Sequence, residues 1–133
     1  MKISTIEGIG SVNAEKLQEQ DIRTTEALLR VAGDAQGRRR LAASTGLSEH
    51  MILEWVNRAD LMRVKGVGEE FSDLLEASGV DTVKELRRRN AENLHKAMLA
   101  VNEEKNLVRR APALSEVERW IEQAKTLAPA VTY

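Results

Sequence analysis

Cysteine is absent from the sequence, so disulfides, thiolate metal sites and cysteine nucleophiles are excluded, and nothing points to an oxidising compartment. Proline is nearly absent too: two prolines, with eight glycines, leave long stretches free to be helical. Aromatic residues make up only 3% of the chain, so the core must be built from Leu, Val, Ile, Ala and Met, which suits helix-on-helix packing better than a sheet. An excess of charge of one sign is also missing. Twenty basic against twenty-one acidic residues give a net charge of −1, without the global attraction to phosphate of a strongly basic nucleic-acid binder. Any nucleic-acid site must therefore be local. No stretch approaches the roughly 18 to 20 apolar residues of a membrane span, and Met1 to Ile6 opens no targeting-type apolar run. A soluble, cytoplasmic chain with no membrane partner is the expectation.

What is present is a globular balance of 42% hydrophobic and 31% charged residues, which argues against disorder. At 133 residues the chain can bury one substantial core but is small for two fully independent domains. An all-α fold in one compact body is expected.

The most informative feature is internal. Ile6-Glu7-Gly8-Ile9-Gly10 reappears 58 residues later as Val64-Lys65-Gly66-Val67-Gly68. At the same displacement Leu17 falls on Leu75, Ile22 on Val80, Thr24 on Thr82 and Leu28 on Leu86. Trp55 and Trp120 lie 65 apart, as expected if the second copy carries a seven-residue insertion. The spacing predicts two repeats, 1–60 and 61–133.

Each copy has the same local logic. A glycine-aliphatic-glycine triplet suits a tight turn whose backbone needs freedom in φ while the aliphatic side chain plugs the core. Helical runs are expected over 11–20, with Val12 and Leu17 on the apolar face, and over 69–78, with Phe71, Leu74 and Leu75. Asp21-Ile22 and Gly79-Val80 end them. Thr24 or Thr25, and Asp81 or Thr82, suit N-caps for short helices carrying Leu28, Leu29 and Val83, Leu86. Thr82 with Glu85, and Ser115 with Glu118, have the capping-box spacing. Ser48 and Ser115 are expected to open helices that carry Trp55 and Trp120.

These hairpins, with Ile22 and Thr24 in one copy and Gly79, Val80 and Thr82 in the other, resemble the helix-hairpin-helix superfamily. The whole chain, with Trp-Val-Asn-Arg-Ala-Asp-Leu at 55–61 and Val-Asn-Glu-Glu-Lys at 101–105, is similar to a bacterial family of tandem helix-hairpin-helix proteins. That family is known as a domain of unknown function. The resemblance implies two tandem repeats packed into one helical domain, and a hairpin whose amides cradle a phosphate, but it implies no activity. Only Met1 to Thr5 precede the first hairpin, whereas a full predicted helix precedes the second.

The implied nucleic-acid-binding residues are Gly8, Gly10, Ser11 and Lys16 of the first hairpin, Lys65, Gly66 and Gly68 of the second, and Arg38, Arg39 and Arg40. Gly68 is followed by Glu69 and Glu70, which oppose a phosphate, and a helix-dipole role is the simpler account of that pair. Arg87-Arg88-Arg89 and Arg109-Arg110 are further basic runs, but three consecutive helical residues point about 100° apart and cannot all address one ligand. His50 and His95 stand alone, so no zinc ligand set exists, and Trp55 and Trp120 read as core anchors rather than base-stacking platforms. No catalytic triad, Walker loop or complete dinucleotide fingerprint is present. The expectation is a non-enzymatic binding module without cofactor, metal or small-molecule substrate. Its partner is a DNA or RNA phosphate backbone or, alternatively, a protein held by a scaffold with no nucleic-acid affinity.

Overall fold

The computed structural model describes every residue except Glu7, which is the one member of the first hairpin motif outside the described residues. The fold is all-α: eight α-helices, one 3-10 turn and no strand among the described residues. They fall into two units, Met1–Asp60 with Ala130–Tyr133, and Leu61–Pro129.

In the first unit, the 3-10 turn Ile3–Thr5 leads into α1 (Gly10–Glu19), α2 (Thr25–Ala32), α3 (Ala35–Thr45) and α4 (Glu49–Leu61). Helix α1 stops in a Schellman arrangement: Asp21 N–H donates to Gln18 O (2.9 Å) and Ile22 N–H to Leu17 O (2.9 Å). Asp21 stands in the left-handed region at φ 63°, where a side chain is strained. The chain then extends through Arg23, whose carbonyl accepts from Ile3 N–H (2.9 Å), and α2 opens with Thr24 Oγ1 accepting from Ala27 N–H (3.0 Å). Asp34 caps α3 on Gly37 N–H (2.7 Å), and Ser48 Oγ caps α4 on Met51 N–H (3.1 Å). Ile3, Ile6, Ile9, Leu17, Ile22, Leu28, Ile52 and Trp55 are buried. Val12 is not: it is 65% exposed, because the inward face of α1 is set by Ala14 and Leu17, and Val12 lies about 200° around from Ala14.

The second unit contains α5 (Glu69–Ala77), α6 (Val83–Leu86), α7 (Ala91–Lys105) and α8 (Leu114–Thr126). Helix α5 also ends in a Schellman arrangement, here with Gly79 at φ 94° and Val80 N–H donating to Leu75 O (2.9 Å). Thr82 Oγ1 caps α6 on Glu85 N–H (3.2 Å), and Asn90 caps α7 on Asn93 N–H (3.0 Å). Leu74, Leu75, Val80, Leu86, Leu94, Met98, Val117 and Trp120 pack into one cluster, each fully buried leucine contributing about 2 kcal/mol. Phe71 tilts against Trp120 at 5.1 Å between ring centroids. The α7–α8 connection is held by Asn102, whose side chain both accepts from Val108 N–H (2.9 Å) and donates to Val108 O (3.2 Å). The His95 ring also makes a 2.9 Å contact with Pro112 O.

Helix α8 starts two residues earlier than the Ser115–Glu118 spacing suggests. Its N-cap is Ala113, which has no side-chain oxygen, so only half of a capping box forms: Glu116 Oε1 accepts from Ala113 N–H (3.0 Å). Arg110 holds the same carboxylate with Nη1 at 2.8 Å. The guanidinium bond, then the Ala113 amide, draw the Glu116 carboxyl down to about 2.

Because the folded pKa lies below the unfolded value, the stabilisation from Glu116 is full above the ordinary carboxylate range and disappears as pH falls toward 2. Urea midpoints should show Glu116→Gln less stable than the parent by about 1 kcal/mol at pH 7, with the two converging near pH 2; a gap independent of pH would contradict this account. Asp21→Gly should stabilise by about 0.5–1 kcal/mol in the same assay at pH 7.

Candidate nucleic-acid interface

The two glycine hairpins share a backbone pattern up to their second glycine, where Gly10 stands at φ 72° and Gly68 at φ −96°. Ile9 N–H donates to Ile6 O (3.3 Å) in the first and Val67 N–H to Val64 O (3.1 Å) in the second, with Gly8 at φ 82° and Gly66 at φ 92°. The intervening aliphatic residues, Ile9 and Val67, are buried. Their surroundings differ.

In the first hairpin, a Cβ placed on Gly8 or Gly10 would meet no other atom within 4 Å, so both positions border open space. Helix α1 begins there with no side-chain cap and no acidic residue in its first turn. The first amides of a helix have no intrahelical acceptor, and the aligned peptide dipoles add positive potential at that end. Ser11 beside them is exposed, and Lys16 is half-buried further along the same helix. The uncapped amides with Ser11 form an open helix start suited to an oxyanion, while Lys16 lies in the last turn of the helix.

The second hairpin is closed by its own unit. Lys65 N–H donates to Gln123 Oε1 of α8 (2.8 Å), and a Cβ on Gly66 would stand 3.1 Å from Trp120 Nε1. Gly68 gives its carbonyl to Ser72 N–H (2.9 Å), and the exposed Glu69 and Glu70 occupy the first turn of α5. The amide of Lys65 and the face of Gly66 are therefore taken by α8 and are not open as a phosphate cradle. Of the expected phosphate contacts in this hairpin, Lys65 and Gly66 are thus engaged within their own unit, whereas a Cβ on Gly68 would meet no atom within 4 Å.

The arginine run divides as well. Arg38 is 5% exposed, and its guanidinium donates to Ala32 O (3.1 Å), Gly33 O (2.8 Å) and Thr132 O (2.5 Å). The expectation that it lies on a basic surface is corrected, because Gly37, Arg38 and Leu41 form the inward face of α3. Arg39 and Arg40 are exposed; Arg39 lines an open groove of about 200 Å³ with Ala35, Glu49, His50 and Leu53. In the second unit, Arg89 pairs with Glu85 (3.6 Å) and Arg110 with Glu116 (2.8 Å). His50 pairs with Glu54 at 3.0 Å, and among the described residues no group of three His, Asp or Glu is placed to hold a metal.

The family described as Domain of unknown function (DUF4332) matches residues 7–127, and the chain belongs to it. No curated protein and no solved structure matches the chain. Among the described residues, no helix is long and apolar enough to cross a membrane.

The contrast between the hairpins has a stability signature. Gly66→Ala adds a side-chain clash with Trp120 to backbone strain and should cost about 2–4 kcal/mol, whereas Gly8→Ala carries the strain alone, about 1–2 kcal/mol. Equal losses in urea unfolding would contradict the closed geometry of the second hairpin.

Proposed function

We propose that the chain is a non-enzymatic binding module of helix-hairpin-helix type that holds the phosphate backbone of a nucleic acid through its first hairpin. The open start of α1 carries this reading. Alone among the α-helices of the described residues, α1 has neither a side-chain cap nor an acidic residue in its first turn. Support for the helix-hairpin-helix assignment comes from features recurring at the 58-residue displacement: the hairpin hydrogen bond, the Schellman ends at Ile22 and Val80, and the caps at Thr24 and Thr82. Gly8, Gly10 and Ser11 supply the cradle, while Lys16, Arg39 and Arg40 are the cations of the same unit that add phosphate attraction. Backbone amides and solvent-exposed arginines read charge rather than base identity, so the binding is not sequence-specific. The rival reading, a protein-interaction scaffold, draws its support from the closed and acidic second hairpin.

The sequence of the second hairpin provides the test. Ser11→Glu with Val12→Glu copies the Glu69-Glu70 pair into α1 at two exposed positions, where carboxylates complement the helix dipole and leave the fold intact. Fluorescence anisotropy with labelled single- and double-stranded DNA and RNA should show submillimolar binding at about 50 mM salt. Binding should weaken about 40-fold at about 200 mM if three phosphates are contacted. The double variant should lose at least about tenfold in affinity. Absence of binding to every polymer at low salt overturns the reading in favour of a protein partner.

A further inference from the structure

A cleft of about 380 Å³ in the first unit is lined by Lys2, Ile3, Ser4, Gln18 and Arg23. Its frame is a short pairing of extended chain. Lys2 lies opposite Thr24 in an antiparallel bridge, with Ile3 N–H donating to Arg23 O (2.9 Å) and Thr25 N–H to Met1 O (2.9 Å). The 3-10 turn that carries Ser4 is closed onto the same segment, because Thr5 N–H and Thr5 Oγ1 both donate to Lys2 O (3.1 and 2.7 Å). Gln18 comes from the last turn of α1, and Ile3 is buried beneath. Four polar side chains therefore reach one concavity from backbone that hydrogen bonds already hold in place.

An ammonium, a guanidinium, a hydroxyl and a carboxamide are the side-chain groups that contact phosphate oxygens. Among the described residues no Asp or Glu lines this cleft, whereas the groove along Arg39 includes Glu49 and another beside α8 includes Glu118 and Glu122. The donors are also free. All four side chains are exposed, and among the described residues those of Lys2, Ser4 and Gln18 have no hydrogen-bond or ion-pair partner. Arg23 has one, Asp21 at 3.5 Å, whose side chain is 92% exposed, and such a surface pair is weak. Cations near the end of a helix can complement its dipole, but the last carbonyls of α1 are already paired. Leu17 O accepts from the amides of Gln20 (3.0 Å) and Ile22 (2.9 Å), and Gln18 O from that of Asp21 (2.9 Å). Unlike Arg38, neither Lys2 nor Arg23 is spent on a helix end.

We propose that this cleft binds a phosphate group. Arg23 presents a planar fork to two of its oxygens, Lys2 adds a point charge, and Ser4 Oγ and the Gln18 amide are the neutral donors. The group is either a free phosphate or a diester within a nucleic-acid backbone, and the chemistry of recognition is the same for both. The site is separate from the first hairpin and does not rest on the reading given to it. Gln18 lies about 10 Å along α1 from Ser11, and the exposed Glu15 stands between them on the same face, so a carboxylate divides the two.

The test is a nitrogen-15 NMR titration of the full-length chain at constant ionic strength, first with inorganic phosphate and then with a short thymidine oligonucleotide. The Gln18 side-chain amide and the Arg23 Nε–H report on the cleft directly. Their signals should shift and saturate with a Kd on the order of 1–10 mM. Lys2→Gln with Arg23→Gln should weaken binding at least about tenfold, with helical circular dichroism unchanged because both side chains are exposed. Asp21→Asn keeps a residue that tolerates the left-handed region and removes the carboxylate competing for Arg23, so it should tighten binding about threefold. If the double variant loses helical signal, Lys2→Gln alone is read by the same criteria. Saturation by inorganic phosphate supports the proposal with a free phosphate as ligand, and saturation by the oligonucleotide alone supports it with a backbone diester. The proposal is overturned if neither probe gives a saturable shift at Gln18 and Arg23, or if the double variant binds as the parent does. An oligonucleotide that moves only the Gly8, Gly10 and Ser11 amides would also overturn it while leaving the hairpin reading in place.

Discussion

Short helices depend on how their ends are satisfied. The eight α-helices run from four to fifteen residues, lengths at which an isolated helix is marginal in water, and each leaves up to four amides at its start without an internal acceptor. In this chain those amides are met one helix at a time. Thr24, Asp34, Ser48, Thr82 and Asn90 cap directly. Glu116 reaches back to Ala113, and α5 carries Glu69 and Glu70 against its dipole. Against that background the bare start of α1 is the exception among the α-helices, and both glycines of its hairpin border open space. The electrostatic demand that side chains meet elsewhere is met by no side-chain cap or first-turn acid there.

Arginine illustrates a second consequence of satisfying ends. Arg38 supplies donors to the last carbonyls of α2, and Arg63 Nη2 donates to Ala128 O (2.6 Å) just beyond α8. Arg110 is spent on positioning the Glu116 carboxylate. Several of the basic side chains are therefore structural, and the count of twenty Lys and Arg overstates the cations available for a partner.

Much of the fold is legible in the sequence where local chemistry and long-range packing agree. The hairpin glycines, the Thr24 and Thr82 caps and the helix ends at Asp21-Ile22 and Gly79-Val80 each combine a turn residue with a buried aliphatic neighbour, so a short window contains the answer. The all-α class follows from composition. Helix α3 is not legible in that way, because its buried positions are Gly37, Arg38 and Leu41, and no apolar period marks them. Helix α7 buries only Leu94 and Met98 along its length, and the start of α8 depends on Glu116 being drawn to Arg110 across six residues. For the site, the open hairpin residues were visible as a motif. The burial of Arg38 was detectable only from its three-residue spacing to Leu41, and the closure of the second hairpin by Gln123 and Trp120 comes from a helix more than fifty residues away.

The difference between the hairpins follows from what each gives up. Leaving a helix start uncapped forgoes about 1 kcal/mol of stabilisation, a sizeable part of the margin of a small domain. Acidic residues in the first turn regain part of that stability and oppose an anionic ligand. The second hairpin takes the stabilising course throughout: acids in the first turn, an amide bonded to Gln123, and a glycine face against an indole that also packs on Phe71. The first takes none of these steps among its described residues. A hairpin hydrogen bond and a left-handed first glycine present twice thus stand in two settings, and the side chains bordering each hairpin, with the different conformations of Gly10 and Gly68, separate them.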